Sequence, residues 1–192
     1  MKKSAFFVLF VILLAAMQIP YWANADEEPQ GLLLRKGLIK WGVSQAEARK
    51  AIEDVSSLEF SCDGEDPTGV VSCTWACCVD LGEETTKYFA TLWFHHLRFF
   101  KYEVTFSPEK FPSLVEAFEK RLGAPEKNEQ STIQNRMGAN FDQEGRQWRT
   151  KDTEVQIAKR GGHGKLDIGY FVVTYAPIMS EIKSNNPAKA PF

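Results

Sequence analysis

The sequence predicts an α+β protein: one antiparallel sheet of about six to eight strands, with two amphipathic helices packed on one face. Three observations carry that reading. Two capped helical segments are each followed by runs of strand-like sequence instead of alternating singly with them. Those runs are joined by connections rich in turn formers, as hairpins are. Within 99–106, Phe100, Tyr102, Val104 and Phe106 alternate with Lys101, Glu103 and Thr105, the period of a strand with one buried and one wet face. The chain has 192 residues, 44% of them apolar and 25% charged, which is a globular mixture and not a disordered or fibrous one. Its formal charge of −2 argues against a protein that lives by neutralising nucleic-acid phosphates.

Residues 1–25 have the layout of a secretory signal peptide. Lys2 and Lys3 give a positive start, 5–17 is apolar and uncharged, Pro20 breaks the helix, and Ala23-Asn24-Ala25 places small residues where a signal peptidase reads. The apolar run is shorter than the roughly 17–25 residues that span a bilayer. Cleavage is expected after Ala25, giving a periplasmic or secreted protein with no membrane anchor, a single domain over 26–176 and a flexible tail over 177–192.

The elements follow in order. Leu32, Leu33 and Leu34 read as a first short strand or turn. Ser44 and Glu47 form the S-x-x-E capping box of a helix over about 45–55, with Val43 and Ala48 as a hydrophobic staple. Ala48, Ala51, Ile52 and Val55 share its apolar face. A short strand over 58–62, a loop over 63–69 and a strand over 70–75 read as one hairpin. Strands over 88–94 and 99–106, with a turn near His95, His96 and Leu97, read as a second. The next helix has Ser107 at its N-cap, Pro108 in its first turn, an apolar stripe of Phe111, Leu114, Val115, Phe118 and Leu122, and Gly123 as a left-handed stop before Pro125. The polar segment 126–147 is too long for a structureless loop, so a strand is expected within it, at about 131–136. Further strands are expected over 146–149, 154–158 and 165–175. The last is apolar on both faces near its end and belongs in the centre of the sheet or under a helix. Each half thus opens with a capped helix and continues into strands, the pattern of a duplicated helix-plus-meander unit.

Trp41-Gly42-Val43-Ser44 before a short amphipathic helix, and a helix ending in Arg121-Leu122-Gly123-Ala124-Pro125, resemble small exported bacterial proteins of the outer-membrane-assembly lipoprotein and β-lactamase-inhibitor type. The resemblance covers some thirty residues and lacks the lipidated cysteine and the Gly-x-Pro after the first helix. It implies a non-enzymatic binding or assembly role and assigns no site residue.

Four cysteines, Cys62, Cys73, Cys77 and Cys78, fall close together. In an exported chain an even count reads as disulfides, here with three possible connectivities. One candidate is a cross-strand Cys62–Cys73 bond. Zinc would want a second clean knuckle and thioredoxin-like exchange a C-x-x-C, and neither is present. His95, His96 and His163 all sit at predicted turns, where they are either solvated or gathered around a metal. Asp63, Glu65 and Asp66 form an acidic loop without EF-hand spacing. The Gly161-Gly162-His163-Gly164-Lys165 run is a turn and not a phosphate loop, because a strand follows it and Leu166 stands where the hydroxyl would be. No serine-nucleophile or H-E-x-x-H motif occurs. Trp75, Trp93 and Trp148 are candidate contact residues if the sheet leaves them exposed, and core residues otherwise.

The function expected is that of an exported, non-catalytic binding or accessory protein without cofactor, whose partner is another exported protein or an envelope component. The alternatives are a redox or metal-handling protein using the 62–78 cysteines, and an enzyme of unrecognised class.

Overall fold

The computed structural model describes residues 39–54, 60–80 and 85–185. The proposed leader, the Leu32–Leu34 element and Val55 lie outside them. Among the described residues the protein is α+β, with three α-helices and one antiparallel sheet of eight strands.

Helix α1, Gln45–Glu53, starts at the capping box read from the sequence. Glu47 N–H donates to Ser44 Oγ at 3.2 Å, and Ser44 N–H donates back to Glu47 Oε2 at 2.9 Å. Its buried face is Ala48 and Ile52. Four strands follow: β1 Phe60–Cys62, β2 Val70–Asp80, β3 Thr85–His95 and β4 Arg98–Phe106. They form a meander in which each strand pairs with the next. After a 3-10 turn, Pro108–Lys110, helix α2 runs over Phe111–Leu122. The second meander comprises β5 Lys127–Gln134, β6 Asn140–Arg149, β7 Thr153–Ala158 and β8 Gly169–Tyr175. Helix α3, Ala176–Asn185, ends the described chain.

The strand order is β1-β2-β3-β4-β8-β7-β6-β5. Helix α2 therefore carries the chain from the middle of the sheet to its far edge, and the second meander works back until β8 pairs with β4. Each half is a helix followed by a four-stranded meander, the duplicated plan the sequence hinted at. Strand β8 lies between two neighbours, as its two apolar faces require.

Helices α1 and α2 fill one face. Ala48, Ile52, Phe111, Leu114 and Phe118 pack with Trp75, Leu92, Val104, Phe171, Val155 and Trp148 in a single core. The Phe118 ring lies 5.4 Å from both Trp148 and Phe171, and Trp148 Nε1 donates to Gly123 O at 2.9 Å, tying the end of α2 to β6. At Gly169 the backbone comes so close to Lys159 O (2.8 Å from an added Cβ) and to the Phe106 ring that no side chain fits.

Several expectations are corrected. Phe100 does not share a face with Tyr102, Val104 and Phe106. The β3–β4 register shifts between Trp93 and Phe94, so a β-bulge turns Phe99 to the main core and Phe100 to the other side, where it packs with Val70, Ile178 and Ile182. The tail expected from residue 177 begins instead as α3. Pro177 sits in its first turn, where a missing N–H costs nothing, and Ile178 and Ile182 bury one helical face. The polar stretch 126–147 holds a hairpin, β5–β6, in place of one short strand. The strand expected from residue 165 starts at Gly169, because Gly161 N–H to Lys165 O and Gly162 N–H to Ile168 O close a compact turn first. Ser107 makes no side-chain cap to the backbone, and Gly123 has positive φ with an extended ψ of −163°, not the left-handed helical conformation.

Candidate binding face

With α1 and α2 on one face, the other is covered, among the described residues, by α3 alone, which packs against β4 and β8. The alternation of side chains then fixes what stays open. On that side β4 presents Lys101, Glu103 and Thr105; the paired positions on β8 are Thr174, Val172 and Tyr170. Glu154 and Gln156 of β7 lie opposite Thr174 and Val172. The result is a polar floor with charges of both signs.

Beside α3 this floor sinks into a groove of about 580 Å³. Lys101, Glu103, Glu154, Gln156 and Tyr170 form its base, Met179 and Lys183 of α3 one wall, and the Gly161-Gly162-His163 turn another. A smaller hollow of about 110 Å³ continues across the sheet between Lys127, Glu129, Gln143 and Gln147. Tyr170 lines both. Burial raises its phenol above the ordinary value, and the carboxylates of Glu103 and Glu129 push it the same way, so it stays a neutral donor and acceptor. Lys101 is held below its ordinary value by burial, partly offset by Glu103. Its Nζ sits 4.1 Å from the centre of the Trp93 ring, a cation–π contact. Amide, hydroxyl and mixed-charge groups on a sheet suit recognition of a polar surface by hydrogen bonds.

The three tryptophans singled out earlier divide. Trp75 and Trp148 are buried in the core, while Trp93 is half-buried on the open side. The histidines divide as well. His95 is the last residue of β3 and only 1% exposed; its buried Nδ1 finds no hydrogen-bond partner among the described residues. His96 and Leu97 make the turn, both with positive φ, and the His95 and His96 rings lie 4.1 Å apart. His163 stands at the groove instead. Among the described residues no group of three or more His, Cys, Asp or Glu could hold a metal ion.

Cys62 and Cys73 are paired across β1 and β2, with Cα atoms 3.9 Å apart, and form a disulfide. Asp63 N–H donates to Ser72 O, so the neighbouring Cys62–Cys73 position is a non-hydrogen-bonded pair, the kind whose side chains lie closest. Arg49 Nη2 approaches Cys62 Sγ at 3.9 Å. The backbones of Cys77 and Cys78 pair with Tyr88 and Lys87, while their side chains lie outside the description. In the acidic loop, Asp66 is spent on the turn itself: Oδ1 accepts from the N–H groups of Thr68 and Val70.

Lys101, Glu103 and Thr105 were legible as a wet face of one strand. Their convergence with Glu154, Gln156 and Tyr170 was not, because it depends on β8 returning to pair with β4. Comparison of the chain with protein-family models, curated proteins and solved structures finds no match to any of them.

Proposed function

We propose that this chain is an exported, non-catalytic binding module that holds another exported protein or an envelope component against the open face of its sheet. The observation that carries the reading is the asymmetry of the sheet. One face is sealed by two helices; the other keeps a groove with a floor of hydrogen-bonding side chains. A rigid strand floor presents such groups in fixed positions, which lowers the ordering cost of binding. The layout of residues 1–25 supports export, and a disulfide suits an oxidising compartment.

The test places a photo-crosslinking residue at Tyr170 and, separately, at exposed Glu116 of α2, in the chain expressed with its own N-terminus. Mass spectrometry of the exported fraction is expected to find the chain cut after Ala25, with adducts from position 170 and none from position 116. An uncut chain retained in the cytoplasm would sink the export reading. Crosslinks from position 116 alone would move the contact surface to the helical face.

A further inference from the structure

Strand β5 is the last strand of the sheet order and has no neighbour on its outer side among the described residues. Natural edges are usually blunted by shortness, proline, a bulge or charge. The opposite edge, β1, is three residues long. By contrast β5 has eight residues, contains no proline and pairs with β6 in unbroken register from Lys127 to Gln134; Lys127 and Glu129 are its only charges. The outer half of the β5–β6 hairpin is also only two strands wide, because β6 pairs with β7 over Gly145–Arg149 alone. Such a ribbon is marginal in water unless a third strand joins it.

The free groups can be named. Asn135 N–H donates to Ala139 O, so by alternation the odd residues of β5 point their backbone groups at β6. The N–H and C=O groups of Asn128, Gln130, Thr132 and Gln134 therefore face outward. We infer that this edge pairs with β5 of a second copy of the chain, antiparallel, with a two-fold axis at Ser131. In that register Asn128 lies opposite Gln134 and Gln130 opposite Thr132, so all four outward residues bond in pairs and their amide and hydroxyl side chains meet. Glu129 lies opposite Ile133, and Lys127 falls at the ends. No like charges face each other, which is what commits the edge to its own copy and not to an unrelated strand. The pairing would join the two open faces into one sixteen-stranded surface.

Ser131 would oppose its own copy as a non-hydrogen-bonded pair, the same geometry that brings Cys62 and Cys73 together within one chain. The test is sedimentation of the full chain over a micromolar-to-millimolar series, together with oxidation of Ser131→Cys and Gln130→Cys variants and peptide mapping of the crosslinks. Wild type is expected to double in mass, and Ser131→Cys to crosslink 131 to 131 where Gln130→Cys does not. Thr132→Pro removes only an outward donor, and Gln130→Lys sets a charge at the seam. Both are expected to stay monomeric, and to match the urea midpoint of wild type at protein concentrations low enough for wild type to be monomeric too. A wild type that is monomeric throughout, or dimers that survive both substitutions, would overturn the inference. So would a 130-to-130 crosslink in place of 131 to 131.

Discussion

His95 shows how much one side chain can set. Its position in the sequence reads as a turn residue in water, yet it ends β3 and is buried, with the rings of His96 and Phe100 beside it. Burial is the main cause that holds its imidazole below the ordinary value, followed by the charge of His96. Glu181 of α3 and Asp66 of the β1–β2 loop pull the other way, and Arg98 of β4 adds to the lowering. Arg98 itself makes two 2.7 Å hydrogen bonds to Glu181, linking β4 to α3 beside the ring. The folded state thus prefers neutral His95, while the unfolded chain takes up a proton near pH 6.5. Above that pH the residue costs nothing. As pH falls below it, the unfolded state binds more protons and stability drops. Urea midpoints are expected to fall between pH 7.5 and 5.5 in wild type, and His95→Gln is expected to flatten that slope. An unchanged slope would assign the pH dependence to other groups. The carboxylates of Asp66 and Glu181, both lowered, act only at more acidic pH.

Among the elements, α3 is the one whose loss changes the surface most. Ile182 is fully buried against Phe100 and Val70. Ile182→Ala is expected to cost about 2–5 kcal/mol, read as a lower urea midpoint, and to raise hydrogen exchange in α3 before that in β8. Uniform exchange across both would show that α3 does not open separately. Sequence reading missed this helix for a physical reason: its stripe is two isoleucines and a methionine beside a proline, too thin to signal without knowledge of the Val70–Phe100 patch it covers. The β5–β6 hairpin was hidden differently, since an edge ribbon exposed on both sides carries no apolar alternation. Where local chemistry alone decides, the reading held, as in the Ser44–Glu47 box and the Phe111–Phe118 stripe. Phe100 shows the limit of periodicity, because one bulged residue reverses the phase of everything before it.

At the scale of the whole molecule, the two meanders share one core, although among the described residues their strands meet only along β4 and β8. That seam is long-range in sequence: Val104 lies opposite Phe171. Pairings of this kind are slow to find, because a long loop must close before they are rewarded. A chain ending at residue 168 keeps seven of the eight strands, yet is expected to lose cooperative unfolding altogether and to associate through its bare β4. A sharp thermal transition in that fragment would show that each half folds by itself. During synthesis the first meander emerges with β4 waiting, and β8, the strand that completes it, is the last of the eight described strands to be made. Construction therefore closes from both rims toward the middle, and the keystone is β8. Until β8 is in place the two halves have no strand in common, and its arrival joins rim to rim.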